Sequence, residues 1–316
     1  MGKTMVVAIG GNSLITDEAH QTVDDQYRAV ELTCQHLAAV LQDESLRMVV
    51  THGNGPQVGF ILRRSELAFS ALHLHQVPLD SCVADTQGAL GYQLQRALGN
   101  EFRRRALRRR AVAVVTQVLV DADDPAFREP SKPIGPFLSR ERAEEHRLRD
   151  GWQVAEDAGR GWRRVVSSPA PRAILEIDAV RCLLDGGFVV VAAGGGGIAV
   201  VEDAQGALSG ASAVIDKDLA SGLLASQLGA EVLVISTAVP QVCLDFGKPT
   251  QRPVARVTVA EARRYMAEGH FKRGSMLPKV QAVVEFLERG GKQGLITDPA
   301  NLPAALEGRT GTWIVP

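Results

Sequence analysis

Apolar residues come in two rhythms along this chain. Thr4 to Ile9 is a continuous β-branched run that stops at Gly10-Gly11, which predicts a strand feeding a loop. Val23, Tyr27, Val30, Cys34, Leu37 and Leu41 recur every three or four positions and predict one face of a helix. Leu46 to Thr51 reads as a second strand ending at His52-Gly53-Asn54-Gly55-Pro56. Helices are predicted over 57–69 and 86–110, with a third strand over 112–118. Continuous apolar strands alternating with helices predict a parallel sheet covered on both faces, an α/β protein. The rhythm breaks over 121–168, which is polar and rich in Pro and Arg; Phe137, Trp152 and Trp162 give it material for a small core. A protruding subdomain is therefore expected there.

Alternation resumes after Pro171, with a helix predicted over 174–184. A strand over 187–193 runs into Gly194 to Gly197, and 213–215 is a short extended piece. Asp218 is read as the cap of a helix through Leu228. A strand over 232–236 follows, then a helix marked by Leu277, Val280, Val284 and Leu287 with Pro278 in its first turn. Closing strands are predicted over 295–297 and 312–315. No internal repeat and no flexible linker interrupts the pattern.

The 316 residues carry 35 Lys+Arg and 36 Asp+Glu, a net charge of -1, which argues against nucleic-acid or membrane-surface binding. Hydrophobic residues make up 45%, which excludes disorder. Cys34, Cys82, Cys182 and Cys243 are too scattered for a disulfide framework or a zinc site. The longest weakly polar run, Gly186 to Val201, is shorter than the ~20 residues of a spanning helix, so a soluble, cytoplasmic protein is expected. Only seven of the basic residues are Lys: 3, 132, 217, 248, 272, 279 and 292. Arginine serves the solvated surface, so a lysine inside a Gly/Pro-punctuated or apolar segment stands out.

Three glycine clusters end predicted strands: Gly10-Gly11-Asn12, Gly53-Asn54-Gly55 and Gly194 to Gly197. Ligands of open parallel sheets sit beyond the carboxyl ends of the strands, and glycine lets backbone N–H groups approach an anion. Gly194-x-Gly196-x-x-Ala199 fits a dinucleotide fingerprint formally, but the following residues do not open a helix. No P-loop motif is present. Lys132 lies among Pro133, Gly135 and Pro136, and Lys217 lies between Asp216 and Asp218. Lys279 falls in a helix's first turn, where it opposes the dipole unless an anion binds beside Ser275. The Arg103–Arg105 and Arg108–Arg110 runs read as a solvated helix end. His73-x-His75 lacks an acidic partner, and His52 either lines the site or caps the strand.

With those residues in view, the chain resembles the carbamate kinases of the amino-acid kinase fold family. The resemblance spans the whole chain. It rests on Ala8 to Asn12, Thr51 to Val58, Lys132 to Phe137, Glu156 to Val166, Gly194 to Ile198, Ala213 to Ser221 and Gly274 to Val280. Many members of the wider family carry a lysine where Ala8 stands; carbamate kinases resemble this chain in lacking it, with Lys132 supplying the charge. Ser13, Asp85-Thr86-Gln87-Gly88 and Ala199 depart from the usual pattern without removing a charged group.

The resemblance implies a three-layer αβα sandwich with a mainly parallel open sheet and a small protruding subdomain. It implies a carbamate-binding lobe over 1–205, including the excursion near 121–168, and a nucleotide-binding lobe over 206–316. The implied reaction is ATP + carbamate ⇌ ADP + carbamoyl phosphate, run toward ATP in arginine breakdown, with Mg²⁺ carried by the nucleotide phosphates and no metal held by the protein. Lys217 and Lys279 would face the phosphoryl groups, Lys132 would close over the carbamoyl group, and Asp218 and Asp216 would orient the lysines. Gly10, Gly11, Asn12, Gly53, Asn54, Gly55, Gly195 and Gly196 would hold carbamate and phosphoryl oxygens. Thr237, Ala238, Val242, Ser275 and Met276 would meet the nucleotide. A homodimer is implied as well. Two other readings remain: a non-catalytic nucleotide-binding relative, and a nicotinamide-binding oxidoreductase resting on the Gly194 cluster.

Overall fold

A computed structural model describes residues 2–10, 22–157, 159, 161–272 and 274–316. Gly11 and Asn12 lie outside the described residues. The main body is built on an eight-stranded sheet. One half holds β1 (Thr4–Ile9), β2 (Arg47–His52), β3 (Arg110–Ala113) and β9 (Phe188–Val191). The other holds β12 (Val232–Ser236), β15 (Arg256–Thr258), β16 (Gln293–Thr297) and β17 (Thr312–Val315). The spatial order is β15-β17-β16-β12-β1-β2-β9-β3. Neighbours run parallel except β16 and β17. The mainly parallel sheet of the sequence reading is thus found.

Strand alternation splits the core into two layers. Val6, Ala8, Val49, Val190, Leu233, Ile235 and Ile296 face one side. There they meet α5 (Ile177–Asp185), α6 (Lys217–Leu228) and α8 (Met276–Glu288). Met5, Val7, Ile9, Met48, Val50, Val191 and Val234 face the other. There they meet α1 (Val23–Val40), α3 (Leu79–Arg104) and α9 (Leu302–Leu306). Each such buried aliphatic side chain contributes roughly 1.5–3 kcal/mol over its exposed state, which is why the strands read as unbroken apolar runs. The remaining helix of this half, α7 (Val259–Ala267), opens with a Thr258/Glu261 capping box.

The described residues of the excursion form regular elements. It contains β5 (Lys132–Leu138), α4 (Arg140–Asp150), β6 (Val154–Glu156) and β7 (Trp162–Val166), with its own antiparallel sheet in the order β5-β7-β6. Ala143 is buried in it, and Ile134 is buried in a cluster shared with Val58, Leu79 and Val83 of the body. Trp152 stacks on His146 at 4.2 Å and lies under the guanidinium groups of Arg63 and Arg164. The subdomain rests on α2 (Gly55–Leu72), where Gly59 meets Gly135 so closely that a Cβ on Gly59 would stand 2.1 Å from the Gly135 Cα.

A second sheet, in the order β11-β10-β4-β8, holds β4 (Gln117–Val120), β8 (Pro171–Ile174), β10 (Ile198–Glu202) and β11 (Leu208–Gly210). Residue 206, the boundary expected between lobes, lies in the β10–β11 hairpin. A final hairpin pairs β13 (Val242–Leu244) with β14 (Arg252–Val254).

Three local expectations change. The apolar run 112–118 is two strands in different sheets, β3 and β4, because the chain leaves the main sheet at Thr116; periodicity does not say which sheet a residue joins. The start of the 174–184 segment belongs to β8, since Glu176 is the N-cap of α5. The long helix runs over 79–104 and not 86–110: it begins after Pro78, and Ala106 with φ 54° turns the chain out of it.

Candidate active site

The carboxyl ends of β1, β2 and β12 open toward one corner of the molecule, and the singled-out lysines come together there. Lys132 reaches in from β5, and its Nζ stands 2.5 Å from Asp216 Oδ2. Lys279, in the first turn of α8, donates to Asp218 Oδ2 at 2.8 Å. Lys217 Nζ lies 3.1 Å from Asp218 Oδ1. Three ammonium groups from three separate elements therefore share two carboxylates.

The helix start of α6 differs from expectation. Asp216, not Asp218, is the N-cap; its Oδ1 accepts from the N–H groups of Asp218 and Leu219. One Asp216 oxygen holds the helix and the other holds Lys132. This leaves Asp218, two residues further on and 3% exposed, to balance buried Lys217 and half-buried Lys279. Lys279 thus has a carboxylate to offset its opposition to the helix dipole. Ser275 gives α8 no side-chain cap, and the first turn holds no acidic residue, so this helix end remains electropositive.

The charges are unequal. Burial pushes the Lys217 ammonium down to about 8, with Asp218 resisting and Lys279 adding to the fall. Burial also acts against Lys279, but the Asp218 carboxylate outweighs it and holds that pKa above the ordinary lysine value. Burial opposes ionisation of Asp218, yet Lys217 and Lys279 keep its pKa well below the usual carboxylate range. His52 is fully enclosed. Burial lowers it to about 4 despite its contact with the Gly53 carbonyl, so it is neutral near pH 7 and is no general acid there.

Beside this cluster lies a cleft of about 1060 Å³. Gly10, Thr237, Ala238, Ser275, Met276 and Lys279 line it. Val242 does not: it is 2% exposed, belongs to the core, and donates its backbone N–H to Thr312 Oγ1. Its neighbours Gln241 and Cys243 line the cleft instead, because alternate residues of an extended chain face opposite sides. Phe246, Phe271 and Lys272, absent from the expectation, also line it, and Ser131 and Pro133 of the subdomain reach its edge. Lys272 carried a usable signal, being one of so few lysines; the phenylalanines carried none. Ser236 also lines the cleft, and its buried hydroxyl has no hydrogen-bond partner among the described residues.

On the far side of the corner, Asn54 precedes α2 and donates from Nδ2 to Thr86 Oγ1 at 2.8 Å. The uncapped start of α2 places Gly55 near the Pro133 carbonyl and the Arg163 side chain. Gly53 is half-buried and its N–H faces the Ile9 carbonyl at 3.3 Å. Gly195 and Gly196 are buried in a tight turn whose next element is the strand β10, not a helix. That removes the physical basis of the nicotinamide reading, which needs a helix N-terminus for the pyrophosphate. The arginine run near the end of α3 is partly internal: Arg104 and Arg105 pair with Glu101, and Arg109 donates to the Leu46 and Asp43 carbonyls. No group of three or more His, Cys, Asp and Glu arranged to hold a metal occurs among the described residues.

Clustered lysines thus stand at the mouth of an open sheet, beside a large cleft. Residues 3–298 match the amino acid kinase family, and the chain belongs to that family. Among its relatives is the carbamate kinase-like protein YahI of Escherichia coli, 51% identical over all of this chain and 99% of that protein. The carbamate kinase of Thermococcus kodakarensis is 43% identical over 99% of each chain. The structure of carbamate kinase from Giardia lamblia bound to citric acid superposes with a TM-score of 0.94 at 37% identity, covering 99% of this chain and 98% of that one. The same enzyme bound to AMP-PNP gives 0.89. The αβα kinase fold read from the sequence is therefore the fold of this chain.

Proposed function

We propose that this protein is an ATP:carbamate phosphotransferase that interconverts ATP and carbamate with ADP and carbamoyl phosphate. The observation that carries the reading is the convergence of Lys132, Lys217 and Lys279 on Asp216 and Asp218. Support comes from the carbamate kinases that resemble the chain from end to end.

Carbamate is an anion with a nucleophilic oxygen, so no base is required, which suits a corner whose histidine is neutral. A carbamate oxygen forms a bond to the γ-phosphorus while the bond from that phosphorus to the β-bridging oxygen breaks, leaving its electron pair on ADP. Catalysis then consists of positioning and charge stabilisation. Lys217 and Lys279 stabilise the phosphoryl oxygens, and Lys132 brings the subdomain over the carbamoyl end. Gly10, Gly11, Asn12, Gly53, Asn54 and Gly55 are assigned to the acceptor side. The lobe over 206–316 holds the nucleotide between Thr237, Ala238, Ser275 and Met276. Mg²⁺ arrives on the nucleotide phosphates as part of the substrate, since Asp216 and Asp218 are already engaged by lysines.

The physiological direction is ATP formation in arginine catabolism, in the cytoplasm. The protein works as a homodimer. Purified protein supplied with ADP, Mg²⁺ and carbamoyl phosphate should form ATP in a coupled assay; no ATP above background rejects the reading.

A further inference from the structure

The buried turn Gly194–Gly197 is wedged between the two sides of the site. A Cβ on Gly195 would stand 2.2 Å from Asn54 Nδ2, on the acceptor side. A Cβ on Gly196 would stand 2.5 Å from the carbonyl oxygen of Ile215, directly before Asp216 and Lys217. Both residues have positive φ, 69° and 93°, which suits glycine. The turn is therefore as thin as a polypeptide can be made, and its thickness sets the gap between Asn54 and the lysine corner.

The turn does not hold itself. Gln87, 4% exposed on α3, donates from Nε2 to the Gly194 carbonyl and to the Thr116 carbonyl, each at 3.0 Å. Its Oε1 accepts from the Thr116 N–H at 2.8 Å. Thr116 in turn accepts the Ala193 N–H on its hydroxyl at 3.0 Å. Thr116 stands where the chain crosses from the main sheet to the second sheet. One carboxamide thus ties the turn to the crossing point, and the preceding residue, Thr86, receives the Asn54 amide. Two consecutive side chains of α3 locate the turn and the asparagine packed against it.

We propose that Gln87 is a positioning residue for phosphoryl transfer: it clamps the Gly194–Gly197 turn and so fixes the distance between Asn54 and the Asp216–Lys217 corner. The proposal deepens the phosphotransferase reading and rests on it. Gln87 is enclosed and spends both polar atoms of its side chain on the protein. Its effect falls on turnover, because misplacing reacting groups by a fraction of an ångström raises the barrier, while the nucleotide cleft lies on other elements.

The test compares Gln87→Glu and Gln87→Met with the wild type. The glutamate keeps an acceptor for Thr116 N–H but turns a carboxylate oxygen toward two carbonyls; the methionine keeps the bulk and removes every hydrogen bond. Expected is a kcat, counted per nucleotide-binding site, lower by ~10²-fold, with ADP affinity measured by calorimetry unchanged. A merely structural glutamine would lower kcat per protein, binding stoichiometry and melting temperature together, and that pattern overturns the proposal, as does unchanged kcat in both variants. A second readout needs no turnover: the side-chain amide resonance of Asn54, assigned by its loss in Asn54→Asp, should shift in Gln87→Glu. An unmoved resonance also overturns the proposal. A wild type that makes no ATP rejects the carbamate reading, while the resonance still decides the role of Gln87.

Discussion

Lys132 and Lys217 carry the same charge to the same corner under different conditions. Lys132 sits on the protruding sheet, a quarter exposed, and meets Asp216 across a gap between two structural units. Lys217 is embedded in the body, and it shares one carboxylate with Lys279. This half-buried pair, still reached by water, is worth less to stability and costs less to break than an enclosed one. A buried pair is costly to break, because the surviving charge cannot be solvated. The outer lysine is thus free to serve as a mobile contact, whereas the inner lysines form a fixed electropositive floor.

The sharpest way to break this contrast is to remove the shared carboxylate. Asp218→Asn leaves a buried and a half-buried ammonium group facing a neutral amide. It should cost about 3–5 kcal/mol, read by denaturant unfolding, and should abolish measurable turnover. The equivalent change at the rim, Asp216→Asn, keeps a capping side chain and should cost less than about 1 kcal/mol. Equal losses at the two positions would erase the distinction.

Next come the lysines. Lys132→Ala should lower kcat by ~10²-fold or more, as for a lost electrostatic stabiliser, with the unfolding midpoint unchanged. Lys217→Met should lower kcat as much and leave the protein equally or more stable, because burial disfavours the ammonium it removes and Lys279 stays to neutralise Asp218. A stability loss in Lys217→Met would contradict the depressed lysine.

A smaller effect appears with pH. Lys217 is depressed to about 8 in the folded protein, so kcat/KM should fall as pH rises through about 8. Between about 8 and the ordinary lysine value, the unfolded chain binds more protons at this residue than the folded one. Its contribution to stability therefore rises with pH across that window. Lys279 is raised, so its stabilising contribution is complete below the ordinary lysine value and is lost above it. Lys217→Met should remove the rise between those limits, as followed by denaturant unfolding at a series of pH values.

The smallest effect separates the thiols. Cys182 is exposed and Cys243 lines the cleft, whereas burial pushes Cys34 up and Cys82 up to about 11. Iodoacetamide should label Cys182 and Cys243, and nucleotide should slow labelling at Cys243 alone, as read by peptide mass mapping.

Much of this was legible in the chain. Strands such as Thr4–Ile9 announce themselves because both faces are buried and every residue must be apolar. The three lysines stood out by rarity, Lys132 and Lys279 also by uncharged neighbours and Lys217 by the aspartates on either side of it. The split of 112–118 between two sheets did not stand out, since the switch at Thr116 depends on hydrogen bonds to Gln87 and Ala193, far away in sequence. Val242 was misplaced for a related reason: a short strand's two faces are told apart only by what packs on them. Phe246 and Phe271 were missed because an aromatic residue reads alike in a core and in a cleft wall.

Local spacing determined the elements, the glycine breaks and the candidate ammonium groups, because short-range sterics and apolar periodicity act within a few residues. Which aspartate caps α6, which lysines share Asp218, and that Gln87 locks the turn behind Asn54 were decided only when β1, β2, β9 and β12 took their places in the sheet. Burial and partner distance set the energies of those charges, and both arise from contacts between residues far apart in the chain.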